Sequence, residues 1–465
     1  MSITSEINRI NTNIANAYTS ISNKGGTLPE TQNSANLADA IDSISTGGGG
    51  STGEKNVKFY DYDGSLVTSY TKDEFLELTQ MPANPSHTGL VAEGWNWSLS
   101  DAKNYLLSGD EYDSINIGQM YTPSSGLSEF DIEINANTGL SVKLKLDGTK
   151  NWGDGTSDTE TTHIYADYGK YTITCDGTTM TTSNSSGLFG QSNSTINYYV
   201  KNIRFASTVT ISSYALQSCY SLRNVILPFS AKSIPNYAFA TCYALSFIII
   251  PNGITSLGDY CFNSCFYLNC VVMSNTITSL GNNAFYSDYN LKEALLPNSL
   301  QTIGTYLFYF CTSLKKVILS KNISRIESSM FRGCQSLTNI TIPNGVYNLN
   351  TSAFQDCYLL SNITIPNTVT SVGTSLFQNC YSLVNIKPSI NSSLASYMFY
   401  YCYNIIKYDF SSCNRIPTLG NTSAFYGINP IAKIVVPDNL YDSWITASVW
   451  TNFANYIVKA SEYVE

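Results

Sequence analysis

Two histidines, twelve cysteines and thirty-four tyrosines are the side chains of this 465-residue chain that could carry chemistry. His163 lies in the string HIY, and His87 lies in the Pro-flanked loop MPANPSHTG. Neither neighbours the serine or cysteine motif of a nucleophilic enzyme. Cys261, Cys265 and Cys270 are close enough in sequence to suggest zinc, but Cys265 belongs to a repeat register and no histidine is near. The acids Asp259, Asp288, Glu293, Glu327, Asp356 and Asp409 share no register, so no glycosidase-like carboxylate pair stands out. No phosphate loop is present. The expectation is no catalytic residue, no metal and no cofactor. What remains is tyrosine, whose ring offers contact area and whose hydroxyl offers a polar tip.

The elements that position these residues repeat. A phenylalanine returns every 23 residues at Phe239, Phe262, Phe285, Phe308, Phe331, Phe354 and Phe377. Three residues later stands Cys242, Cys265, Cys311, Cys334, Cys357 or Cys380, with Asp288 as the substitute, and six residues later a leucine from Leu245 to Leu383. A fixed period of this length means stacked supersecondary units, so function is expected on a surface. In the unit from Ile363, the alternation Ile363-Thr364-Ile365 is one short strand and Pro366 ends it. Val369, Val372, Phe377 and Cys380 then point inward. Neighbouring cysteines of the ladder could reach disulfide distance, about 4.4–6.8 Å between Cα atoms. Their place at core spacing favours reduced, buried thiols instead.

Two outward rows follow from the register. One is Ile226, Ile249, Val272, Leu295 and Ile318, fading to Thr341, Thr364 and Lys387. Soluble monomers rarely leave such a row bare, so it is expected to be an assembly face, for the β-sandwich unit or a sister protomer. Coverage by a neighbouring segment of the same chain is the plainer alternative. The other row follows the cysteines: Tyr220, Tyr243, Phe266, Tyr289, Thr312, Gln335, Tyr358, Tyr381 and Tyr403, flanked by Tyr286, Tyr309, Tyr400 and Tyr401. Its aromatic members and Tyr309 are the candidate receptor-binding residues. The plainer alternative is tyrosine as filler at an exposed turn.

The remaining chain divides by composition. Ile3, Ile7, Ile10, Ile14, Ala17 and Ile21 form a heptad seam, and isoleucine at both core positions favours three or four strands. Residues 1–46 are therefore expected to attach and trimerise the protein, although a helix packed on its own chain would show the same pattern. Residues 47–53 are a Gly-rich linker. Residues 54–127 read as a small α+β domain: VKFYDYDGSLVTSY is strand, Asp63-Gly64 turn, strand, and SLSDAKNYLL is a helix with Ser100 as a possible cap. Residues 128–178 read as a β-sandwich, 179–198 as a linker, and 199–465 as the repeat solenoid with short parallel strands and an aromatic C-terminal cap, Leu440 to Val458. The net charge of −9, with 13% charged residues, argues against a nucleic-acid partner. No stretch approaches the ~20 apolar residues of a membrane span.

Three resemblances attach to these residues. The Ile-x-Ile-Pro strand with Phe-x-x-Cys-x-x-Leu resembles BspA-like leucine-rich repeats over roughly 200–460. Trp152-Gly153-Asp154-Gly155-Thr156, His163-Ile164-Tyr165 and Tyr168-Gly169-Lys170-Tyr171 resemble a polycystic-kidney-disease (PKD) type β-sandwich. The N-terminal helix with TLPETQNSANLADAI is similar to leader segments of phage and prophage tail proteins of Gram-positive bacteria. Together they imply a receptor-binding tail protein of a virion, assembled in the host cytoplasm beside other tail proteins, with a bacterial cell-surface glycan or protein as partner. Surface adhesins with such repeats carry a secretion signal, which MSITSEINRINTNI lacks. An adhesin exported by another route and a cell-wall hydrolase are the alternatives.

Overall fold

The structure, a computed structural model, describes residues 54–109, 112–135, 141–183, 186–191, 199–388 and 393–464. The heptad segment, with Ile3, Ile7, Ile10 and Ile14, lies outside the described residues. Residues from Lys55 onward form one compact unit.

The α+β part is built from a hairpin, β1 (Val57–Tyr60) and β2 (Leu66–Tyr70), then α1 (Lys72–Glu77), β3 (Leu90–Trp95), α2 (Leu99–Leu106) and β4 (Ile115–Pro123). Sheet order is β2-β1-β4-β3, with β1 and β4 parallel and the outer pairs antiparallel. Thr71 and Glu74 form a reciprocal capping box that starts α1. The cap of α2 is Ser98, not Ser100: the Ser98 hydroxyl accepts from the Asp101 amide, and Ser100 falls inside the first turn. Strand β4 is buried almost throughout. Ile115 and Ile117 join Val57, Phe59, Phe75 and Trp95 in one cluster, beneath the helices. The alternate residues Asn116, Gly118 and Met120 meet the solenoid.

The β part does not stand apart from the repeats. Its main sheet runs Ser157–Asp158, Lys150–Asn151, Gly169–Cys175, Ser128–Ile134, Val200–Arg204 and on to Asn224–Ile226, the first three-residue solenoid strand. A second pair, Ser141–Lys143 with Thr162–Ile164, completes it. Phe130, Trp152, Tyr165 and Ile173 share one continuous core with the repeats. The β part thus covers the edge that the first coil would otherwise leave unpaired. The stretch 179–198, expected as a linker, is built into the fold where it is described: Leu188 and Phe189 are buried, and the amide of Lys145 donates to the Leu188 carbonyl.

The regular repeats contribute short strands whose partners lie 23 residues away in parallel register, such as Phe247 opposite Cys270 and Ile249 opposite Val272, and the last coils shift that offset, with Asn385 opposite Lys407 and Lys407 opposite Lys433. A second row of two-residue strands, Ser233–Ile234, Ser256–Leu257, Ser279–Leu280 and Thr302–Ile303, stacks in the same way. The connecting turns place two residues at positive φ in each regular coil, non-glycine at nearly every one, for example Tyr237 (57°) and Thr241 (60°), with Gly333 the exception. Left-handed backbone costs on the order of 1 kcal/mol per residue. The amides of Tyr237 and Thr241 offset that cost by donating to Asp259 and Asn263 one coil on. Phe239 through Phe399 stack at 5.2–5.9 Å between ring centroids. At the far end Trp444, Trp450 and Phe453 close the core, and the Trp450 indole donates to the Pro417 carbonyl at 2.8 Å.

Candidate functional site

The cysteine ladder is a hydrogen-bond ladder as well as a packing one. The thiols of Cys265, Cys334, Cys357 and Cys380 donate to the carbonyls of Phe239, Phe308, Phe331 and Phe354, at 3.1–3.2 Å. All twelve cysteines are free and buried. Burial pushes the ladder thiols up, Cys402 to about 12, so they stay protonated and serve as donors. None of this is a reactive site.

The apolar strand row is covered by the α+β part of the same chain, which corrects the expectation of the sandwich or a sister protomer. Ile226, Ile249, Val272 and Ile318 are buried and Leu295 is partly so. Met120 and Tyr60 pack on Phe247, Ile249, Cys270 and Val272. Gly118 permits the approach: a Cβ there would lie 2.6 Å from Ile249 Cγ1. Polar bonds fix the register. Asn96 Nδ2 donates to the Ile250 carbonyl at 3.1 Å, Trp97 Nε1 to Met273 at 2.8 Å and the Tyr112 hydroxyl to Leu319 at 3.0 Å. Asn116 Nδ2 donates to Glu293 Oε1 at 2.6 Å, and Lys316 Nζ lies 3.0 Å from Asp113 Oδ1. Beyond the cover the same strand positions, Asn339, Thr341, Asn362 and Thr364, are exposed. The fade from isoleucine to threonine therefore marks the border of the docked part.

The tyrosine row forms a ridge of stacked rings on the turns. Tyr220, Tyr243, Phe266 and Tyr289 follow one another at 4.9, 4.6 and 5.1 Å. After Thr312 and Gln335 a second run sets Tyr358, Tyr381 and Tyr403 at 5.1 and 6.2 Å. Tyr289, Tyr381 and Tyr403 are exposed. Tyr309 lies outside this row and stacks on Tyr286 at 4.8 Å. Burial, with help from the Asp356 carboxylate, raises the Tyr358 hydroxyl above its ordinary range, so it remains a donor at neutral pH. A further ladder, Tyr214, Tyr237 and Tyr260 at 4.9 and 4.8 Å, was readable from the same spacing. Tyr426 was missed because it lies beyond the regular period. It joins Tyr400 and Tyr401 at 4.9 and 5.4 Å.

Both histidines hold loops. His163 Nε2 lies 2.7 Å from Asp154 Oδ2 and its ring stacks on Trp152 at 4.9 Å, closing the Asn151–Thr156 turn. Burial opposes ionisation of Asp154, yet hydrogen bonds from Thr156 and His163 hold it at about 2. His87 Nε2 lies 2.7 Å from Asp61 Oδ2, between the rings of Tyr62 and Tyr121. Among the described residues no cluster of three or more His, Cys, Asp or Glu gathers, and no helix is long and apolar enough to cross a membrane.

A solenoid of 23-residue coils with a phenylalanine–cysteine–leucine core is a repeat-family signature. Residues 209–338 and 324–444 match the BspA type leucine rich repeat region in six copies, and the chain belongs to that family. Among solved structures it is similar to a leucine-rich repeat protein from Bacteroides ovatus, 21% identical with a TM-score of 0.45 over 55% of this chain and 68% of that one. It is similar to a leucine-rich repeat protein of T. pallidum, 27% identical with a TM-score of 0.33 over 39% and 83%. It is also similar to a leucine rich cell surface protein from Faecalibacterium prausnitzii, 24% identical with a TM-score of 0.35 over 49% and 63%. No curated protein matches.

Proposed function

We propose that this chain is a non-enzymatic receptor-binding protein that holds a bacterial cell-surface glycan or protein through the aromatic ridge of its solenoid, as a component of a phage or prophage tail. The observation that supports the reading is the ridge itself, in which stacked rings with polar tips stand exposed at Tyr289, Tyr381 and Tyr403. Such rings give contact area at low entropic cost. The strand face is half closed by the α+β part, which leaves the turn ridge as the longer continuous surface. The tail assignment rests on the N-terminal leader resemblance, and the PKD-like unit serves there as spacer and solenoid cap. A second reading, favoured by membership of the BspA type family, keeps the same ridge but places it on a bacterial surface, where it binds a host protein or glycan.

The test is adsorption of labelled protein to Gram-positive cells. Replacing Tyr243, Tyr289, Tyr358 and Tyr381 together by alanine is expected to abolish adsorption while the protein still melts cooperatively. Undiminished adsorption of that variant would sink the ridge. Antibody labelling of virions against labelling of intact bacteria separates the two locations.

A further inference from the structure

Stacking decides where on the ridge a ligand can lie. Rings 4.6–5.1 Å apart cover one another's faces, so Phe266 offers only its edge and Tyr243 its edge and hydroxyl. Tyr381 is likewise enclosed between Tyr358 and Tyr403. Flat faces open only where a run ends. The two runs end toward each other, because Thr312 and Gln335 occupy the two ladder positions between Tyr289 and Tyr358. Among the described ring contacts Tyr289 has Phe266 alone and Tyr358 has Tyr381 alone. Tyr289 is 42% exposed, while Thr312 and Gln335 are half-buried and form the floor. Three coil spacings of about 4.8 Å put the facing rings roughly 14 Å apart. A carboxylate acts on the Tyr358 wall: Asp356, which adds to burial in raising the Tyr358 hydroxyl, is held by Arg332 Nε at 3.4 Å from its Oδ2, and Asn379 Nδ2 donates to its Oδ1 at 2.7 Å. The Arg332 guanidinium also lies 5.6 Å over the Tyr309 ring.

We propose that the gap at Thr312 and Gln335 is a saccharide slot, in which pyranose rings of a cell-surface polysaccharide lie on the end faces of Tyr289 and Tyr358. The inference rests on the reading of the ridge as the receptor surface. A pyranose is a plate with apolar C–H faces and a hydroxyl rim. The faces match two opposed aromatic rings, and the rim matches Thr312, Gln335 and the Arg332–Asp356 pair. A protein ligand would have less use for a polar floor between two aromatic walls.

The decisive variant fills the slot. Thr312→Tyr with Gln335→Tyr continues the ladder through positions that already carry rings in neighbouring coils, so it should melt at or above the parent's temperature. On an array of glycans and purified wall polysaccharides the full chain is expected to bind, and the filled variant to bind about tenfold less or worse, as fits the loss of two stacking contacts. Tyr289→Ala with Tyr358→Ala should weaken binding similarly, whereas Tyr243→Ala, at a ring enclosed on both faces, should cost clearly less than that pair does. Retention by the filled variant, or equal losses from Tyr243→Ala and the Tyr289/Tyr358 pair, would overturn the slot and leave the ridge standing. Adsorption to cells that disappears when the cells are treated with protease, with no glycan bound, would overturn the saccharide. Failure to bind either cells or glycans would remove the functional reading itself.

Discussion

At position 288 a carboxyl occupies the slot that a thiol fills in neighbouring coils. Its Oδ1 accepts from the Cys265 amide at 2.7 Å, and its Oδ2 is buried with no hydrogen-bond partner. Burial pushes the Asp288 carboxyl well above its ordinary range, so the folded protein holds it neutral. Once unfolded, the same group ionises near pH 4. Between that value and the folded pKa the unfolded chain releases a proton that the folded chain keeps, so stability falls as pH rises. The slope is at most about 1.4 kcal/mol per pH unit. Asp288→Cys removes this penalty and restores a donor aimed, by register, at the Phe262 carbonyl. Its melting temperature should exceed the parent's, with a gap that widens from pH 4 to pH 8. Melting curves that shift in parallel across that range would show that Asp288 is ionised in the fold.

The element-scale result is that two non-repeat parts close the two open features of a solenoid: the α+β part its apolar strand face, the β part its first edge. Gly118 tests the first. Gly118→Val inserts side-chain atoms where Ile249 already sits, and overpacking of this kind costs about 1–3 kcal/mol. The variant should unfold at lower denaturant and bind a hydrophobic dye, because Phe247, Ile249 and Val272 become accessible. An unchanged midpoint would mean that the contact contributes little. The same elements show what the chain announces about itself. The coils were legible because identity at a fixed spacing is local information, and Phe, Cys and Leu announce it in every unit. The extent of the cover was half legible, in the change from Ile318 to Thr341. The identity of the cover was not, since Gly118 and Ile249 lie far apart in sequence and a glycine carries no apolar signal. The seam between Ser128–Ile134 and Val200–Arg204 was hidden for another reason: its ladder is made by backbone, and the charges that cross it, Arg204 to Glu129 and Asp131, lie more than seventy residues apart in sequence. On the ridge the tyrosines were legible one by one. The value of Thr312 and Gln335 was not, because a gap acquires meaning only once the rings beside it are known to stack.

At the scale of the whole molecule, both ends of the solenoid are closed, by the β part at one end and by Trp444, Trp450 and Phe453 at the other. Caps of this kind disfavour end-to-end growth of the repeats and so favour a separate source for any assembly. The candidate is the heptad seam of Ile3, Ile7, Ile10 and Ile14, joined through Gly47 to Gly50. A trimer would matter for function in a way that a ridge alone cannot supply. Stacking on sugars is weak per contact, and linking binding modules raises avidity by about 10²–10⁴ when the partner is a polymer that several copies can grip. Two measurements follow. Light scattering should give the full-length protein three times the chain mass, and removal of residues 1–46 should leave a monomer with unchanged melting behaviour. That shortened protein should still bind soluble oligosaccharide as the parent does, while its adsorption to whole cells falls by about a hundredfold or more. A monomeric mass for the full-length chain at micromolar concentration would exclude the trimer. Equal cell adsorption by long and short proteins would show that a single ridge suffices.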